Sequence, residues 1–240
     1  MKNSIVILGL LLLLPATTAA QLVVFDNSHT LYANPMYDDF KDQLTAWGYT
    51  VESRVTPTMD NGDADVIVIL TEDGYENGGT TFTSQEAAWL KDFVDSGKGL
   101  LASVCLSSTY LVHIADLMSL FGIAEEGTMI ETVYYDQFAA HPLFNGVTEL
   151  GDDVSRSACL TVSAPSVAVA GDGTYNMTAA YESGTGYGAA IWTTHYYMMD
   201  NGGLPDFDNL VFLENAFTWL TRSYVANEYK SWSEIKALYL

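Results

Sequence analysis

Residues 66–70 read VIVIL. Five consecutive large apolar side chains leave no polar face, so this segment is stable as a strand only when both of its faces are covered. Its flanks are turn formers: DNGDAD at 60–65 before it, and the Gly- and acid-rich TEDGYENGGTTF at 71–82 after it. GLLASV at 99–104 repeats the pattern. Strands buried on both faces belong to parallel sheets layered between helices.

The helices are legible between them. In MYDDFKDQLTAW, residues 36–47, Met36, Phe40, Leu44 and Trp47 recur at helical spacing, and Gly48 closes the segment. Thr83-Ser84-Gln85-Glu86 is a capping box, in which hydroxyl and carboxylate satisfy amides at a helix start. The helix it opens carries Ala87, Leu90, Phe93 and Val94 on one face and stops at Ser96-Gly97. A further amphipathic helix is predicted over 108–121, and another over 207–221, with Leu210, Leu213, Phe217 and Leu220 inward. QLVVFD at 21–26 and YTVESRV at 49–55 read as strands. From about 128 to 192 the pattern changes to short alternating runs: MIETVYY, SACLTV, VAVA, TAAYES and GYGAAIW. These are expected to extend or decorate the sheet. The fold class is therefore α/β: a mostly parallel sheet with helices on both faces and added β-strands in the C-terminal half.

The first twenty residues read as an export signal, with Lys2, the apolar run IVILGLLLLL and the small-residue segment PATTAA. The run covers about ten residues, against the roughly twenty needed to span a bilayer. The expectation is a signal peptide at 1–20, one domain at 21–222, a helical C-terminal tail at 223–240, and a mature chain that is secreted or extracytoplasmic, without a transmembrane segment. A net charge of −21 at pH 7 repels nucleic acid and anionic lipid.

The order of VVFDNSH, DVIVIL, the FTSQEAAWLKDFVDSGKGLL block, FGI, HPLFNGV and the closing unit GYGAAIWTTH…LENAFTWL resembles the class I glutamine amidotransferase-like fold. The likeness spans roughly residues 21–221, and FT..E...L..FV..G.GLL carries most of it. It extends to exported and membrane-linked relatives: trehalose-utilisation-type domains, gliding-motility-type auxiliary domains and the lumenal domain of an oligosaccharyltransferase subunit. Most of these keep the sheet without glutaminase chemistry, so the resemblance implies a fold and no particular reaction.

In open parallel sheets ligands bind at the carboxyl ends of the strands. Those ends carry Asp26, Ser28 and His29; Thr71, Glu72 and Asp73; Cys105, Ser107 and Ser108; and Thr194 with His195. Asp26, Ser28, His29, Glu72, Ser107 and His195 are the expected ligand-binding set. A working class I amidotransferase pairs a Cys on a strand-to-helix elbow with a His after a later strand and a Glu that orients it. Cys105 and His195 match the first two by position. The flanks differ: Val104 and Leu106 stand where the family has glycines, and Tyr196-Tyr197 stand where it has Pro-Glu.

Cys105 has a second reading. The only other cysteine is Cys159, and two cysteines in an exported chain favour a disulfide. Closing a loop of about 55 residues contributes on the order of 4 kcal/mol on the chain-entropy model. Asn176-Met-Thr178 is a glycosylation sequon. Tyr134, Tyr135, Trp192, Tyr196 and Tyr197 are candidates for carbohydrate stacking, and His141 for fixing a turn with Pro142. No histidine pair has zinc spacing, so no metal or cofactor is expected. Calcium in the loops DNGDAD, EDGYENGG and MMDNGGLPDFDN is the one alternative, although none has an EF-hand register. Three functions remain open: an exported, non-catalytic domain binding a small molecule, glycan or envelope protein; a thiol hydrolase or amidase using Cys105 and His195; and a scaffold subunit of an envelope or lumenal complex.

Overall fold

The computed structural model describes residues 20–29, 35–70, 80–103, 114–125, 134–151, 158–184, 188–194 and 196–226. In chain order the strands are β1 (Leu22–Asp26), β2 (Thr50–Arg54), β3 (Val66–Leu70), β4 (Gly99–Ser103), β5 (Ile123–Glu125), β6 (Tyr134–Tyr135), β7 (Gln137–Phe138), β8 (Leu150–Gly151), β9 (Leu160–Val162), β10 (Val167–Gly171), β11 (Asn176–Glu182) and β12 (Ala189–Thr193). The helices are α1 (Asp38–Ala46), α2 (Ser84–Asp95), α3 (Ala115–Leu120) and α4 (Asn209–Ala226).

The main sheet runs β2-β1-β3-β4-β12-β11-β10-β7. The first five strands are parallel, and β11, β10 and β7 continue the sheet antiparallel. The late strand β12 is thus a full member of the parallel core, inserted beside β4 and burying all five of its residues. The decoration predicted for the C-terminal half is carried by β5, β7, β9, β10 and β11, with β6 and β8 as a separate two-stranded sheet.

Period-2 alternation divides the core between two layers. Val23 and Phe25 of β1 pack with Phe40 and Leu44 of α1 and with Phe212, Leu213 and Phe217 of α4. Val24 of the same strand packs with Ala87, Leu90 and Val94 of α2 and Leu117 of α3. Each fully buried Leu, Ile or Phe in these layers contributes about 1.5–3 kcal/mol relative to exposure. The capping box at α2 forms as read: Glu86 N donates to Thr83 Oγ1 at 3.2 Å, and Thr83 N donates to Glu86 Oε2 at 2.8 Å.

Two boundaries differ from the sequence reading. The helix expected over 207–221 begins at Asn209, because Phe207 adopts φ 45° and cannot continue a right-handed helix. Of the helix expected over 108–121, residues 108–113 lie outside the described set, and α3 occupies Ala115–Leu120. The signal peptide and residues 227–240 also lie outside it. Among the described residues no helix is long and apolar enough to cross a membrane.

Candidate functional site

The chain leaves β1 over α1 to reach β2 on one side, then crosses to β3 on the other. The carboxyl ends of β1 and β3 therefore flank a topological switch point, where open α/β sheets leave a crevice. Asp26, Ser28 and His29 stand there. Glu72, in the loop after β3, lies outside the described residues.

Asp26 is the last residue of β1 and only 5 % exposed. It follows Leu22 and Val24 in the alternation, so its side chain faces the α2 layer. Its Oδ1 accepts from Ser28 N at 2.9 Å, forming a local turn, while Oδ2 is buried with no hydrogen-bond partner. Ser28 Oγ shares a hydrogen bond with Thr58 Oγ1 at 2.9 Å. His29 is 7 % exposed and lies on the Phe82 ring, centroids 3.8 Å apart. Its Nδ1 is 3.0 Å from Thr80 O and 3.1 Å from Thr80 Oγ1, and Thr80 N donates to His29 O at 3.0 Å.

A carbonyl oxygen only accepts, so the bond to Thr80 O assigns the proton to Nδ1. In the neutral ring Nε2 then presents a lone pair. That atom is buried, makes no hydrogen bond, and lies 3.5 Å from Glu86 Oε1. The other carboxylate oxygen of Glu86 is already occupied by Thr83 N and Thr83 Oγ1, each at 2.8 Å. Imidazole and carboxylate thus meet lone pair to lone pair unless His29 is protonated or a donor group bridges them. None of the described Lys and Arg side chains forms an ion pair with Asp26 or Glu86; their acids are Asp38, Glu52, Asp63, Asp95, Asp65 and Glu182. A buried acceptor left unserved costs about 1–3 kcal/mol. The site asks for hydrogen-bond donors.

A second polar row lies at the ends of β4 and β12. Ser103, Thr193 and Thr178 are fully buried. Tyr135 OH and Thr178 Oγ1 share a hydrogen bond at 3.0 Å, and burial pushes the Tyr135 hydroxyl up to about 12. Thr193 pairs in register with Ser103. The segments that lead to Cys105 and His195 therefore leave the sheet side by side, each two residues beyond a paired position. Cys105, Ser107 and His195 themselves lie outside the described residues, and with Cys105 the proposed link to Cys159. Cys159 is fully buried in the α1/α4 layer.

The remaining sequence candidates separate cleanly. Asn176 is exposed at the start of β11, with Nδ2 donating to Leu160 O at 3.3 Å. His141 caps the 3-10 turn Pro142–Phe144, its Nδ1 accepting from Leu143 N at 3.4 Å; burial lowers its pKa, which keeps that acceptor available. Of the proposed stacking aromatics, Trp192, Tyr135 and Tyr196 are core residues, a correction that follows from strand alternation and the turn after β12 directing them inward. Tyr134 is exposed beside Phe207. In two of the loops considered for calcium the acids hold the turns themselves: Asp63 pairs with Arg54, Asp65 with Lys98, Asp200 Oδ1 accepts from Gly202 N and Gly203 N, and Asp208 binds Thr148. The loop EDGYENGG lies outside the described residues. Glu86, Thr80 and Phe82 are not among the expected site residues, because the sequence signal there is that of a helix cap.

No family model and no curated protein matches this sequence. Solved structures do. The N-terminal domain of mmIFT52 superposes with TM-score 0.68 at 18% identity, covering 83% of this chain and 97% of that one. A putative GMP synthase protein from Thermoplasma acidophilum superposes with TM-score 0.54 at 10% identity, covering 88% and 98%. The fold is class I amidotransferase-like. A cytoplasmic protein from Salmonella typhimurium LT2 shares it, with TM-score 0.53 at 11% identity over 85% and 98%.

Proposed function

We propose that this chain is an exported, non-catalytic amidotransferase-like domain that binds a ligand or partner at the carboxyl ends of its strands, around Asp26, Ser28 and His29. One observation carries the reading: at the switch point, Asp26 Oδ2 and His29 Nε2 are buried without a hydrogen-bond partner, and with the proton on Nδ1 both are acceptors. Most buried polar groups in folded proteins are hydrogen-bonded, and two unserved atoms beside the strand ends are where a ligand would supply the missing donors. The bound group is a hydrogen-bond donor, an ammonium or amide borne by a small molecule, an amino sugar or an envelope protein. The leader-like N-terminus and the strongly acidic composition support an extracytoplasmic setting.

The test is thermal unfolding in the presence of arginine amide, spermidine and glucosamine. A ligand at about 100 times its Kd contributes about 2.7 kcal/mol, which for a domain of this size raises Tm by roughly 5–10 °C. At least one compound is expected to do so with the native chain and to lose its effect in the Asp26→Asn/His29→Gln double variant. A shift that survives the double substitution, or none with any compound, removes the site.

The adjacency of the β4 and β12 ends favours a second reading, a thiol hydrolase using Cys105 and His195. Alkylation of the oxidised protein without reductant separates the two. A Cys105–Cys159 linked peptide, the expected product, leaves no nucleophile. Two alkylated thiols, with Cys105 modified much faster, would establish the reactive thiolate that the hydrolase requires.

A further inference from the structure

Phe207 is the only non-glycine residue with positive φ among those described, at 45°. A bulky residue there is strained, and such strain persists only where the surroundings over-determine it. They do so here from both sides. Before it, Asp206 N donates to Gly203 O at 3.0 Å. After it, Asp208 Oδ2 accepts from Thr148 N at 2.7 Å and Thr148 Oγ1 at 2.8 Å, and Asp208 N donates to Glu149 O at 3.1 Å. The Thr148 amide and hydroxyl hold the Asp208 carboxyl below its usual range, so this clamp is ionised at neutral pH. Asn209 then binds both backbone groups of Gly151, and Gly151 pairs with Tyr134.

What this clamped strain displays is an aromatic surface. Phe207 is 39 % exposed and Tyr134 50 %, with ring centroids 6.2 Å apart and planes 35° apart. Both rings are mounted on one hydrogen-bonded unit, the antiparallel β6–β8 pair locked to the turn before α4. The ring of Phe207 is more exposed than a core residue, and a turn role alone would place glycine at this φ.

We propose that Tyr134 and Phe207 form a binding platform for a neutral glycan, separate from the site at the end of β1. With centroids 6.2 Å apart and planes 35° apart, the two partly exposed rings offer adjoining apolar surface to the C–H faces of successive sugar rings. Residues 134–151 and 196–211 contain Asp136, Glu149, Asp200, Asp206 and Asp208 and no Lys or Arg. The negative charge of these two segments disfavours phosphorylated or acidic ligands and leaves a neutral one.

The test combines NMR titration of the Tyr134 and Phe207 ring signals with Tm measurements. The probes are cellotriose, mannotriose and chitotriose, with choline as the cationic counter-probe. One of the trisaccharides is expected to bind the native chain and to bind at least tenfold more weakly to both Tyr134→Ala and Phe207→Gly. Phe207→Gly is also expected to keep or raise Tm, because glycine adopts the positive φ without strain. A lower Tm in Phe207→Gly would show that the ring is held for packing and overturn the proposal. Binding of choline alone, or of no probe, would overturn it equally.

Discussion

Gly188→Ala is expected to cost roughly 3–5 kcal/mol, the range reached when a core is forced apart. A Cβ at this position falls 1.6 Å from Val94 O and 2.7 Å from Val94 C, inside the carbonyl that ends α2. That carbonyl also accepts from Gly97 N at 3.0 Å, so it cannot rotate away without opening the helix end. The other side is equally fixed: Ser183 N donates to Gly188 O, and Gly188 N to Ser183 Oγ, both at 2.9 Å. Relief requires lifting the β11–β12 hairpin off α2, which parts Tyr181 OH from Asp95 Oδ1, now 2.6 Å away. Against a total of about 5–15 kcal/mol, the variant is marginal. Gly184 is the control. Nothing lies within 4 Å of a Cβ built there, and Gly184→Ala is expected to change stability by no more than about 0.5 kcal/mol. Urea midpoints of the two variants check this, and equal midpoints would mean that the hairpin–helix contact yields.

The contrast between these glycines shows where sequence reading stops. VIVIL, GLLAS and the Thr83–Glu86 capping box are local statements: the residues that make each element are contiguous, and their chemistry admits one solution. The parallel sheet follows from them. Strands β5, β7 and β8 are two or three residues long and exist because a distant partner pairs with them, so no local pattern announces them. The insertion of β12 beside β4 joins residues 189–193 to residues 99–103, a long-range choice that composition does not encode.

The same division runs through the candidate site. Asp26, Ser28 and His29 are legible because a strand end in this fold class is a place where ligands meet the sheet. Glu86 is legible only as a cap; its second oxygen faces His29 because α2 starts where the loop after β1 passes, a tertiary fact. The aromatics escape sequence reading for a related reason. Tyr134 and Tyr135 are adjacent, and only the register with Gly151 and Leu150 decides which is outward. Phe207 reads as the first residue of a helix, yet the turn around it is held by bonds from Asp208 and Asn209 to Thr148, Glu149 and Gly151, none of them nearby in sequence.

Asn209 holds that arrangement, and Asn209→Ala is expected to cost roughly 3–5 kcal/mol, with each stranded interior group contributing about 1–3 before partial relaxation. The side chain is fully buried. Its Nδ2 donates to Gly151 O at 2.6 Å and Gly203 O at 2.8 Å, and its Oδ1 accepts from Gly151 N at 3.2 Å. Alanine removes all three bonds at once, and no described side chain replaces them. Asn209→Asp separates hydrogen bonding from volume. It fills the same space but turns an acceptor toward two carbonyl oxygens, so it is expected to be at least as destabilising as alanine. Chemical denaturation of the two variants, with hydrogen exchange at the Gly151 amide, decides the point. If Asn209→Asp were as stable as the native chain, packing rather than hydrogen bonding would hold the 206–209 turn to the β6–β8 pair. With the bonds lost, the Gly151 amide is expected to exchange faster, while the Asp208–Thr148 and Asp208–Glu149 bonds still hold the Phe207 turn.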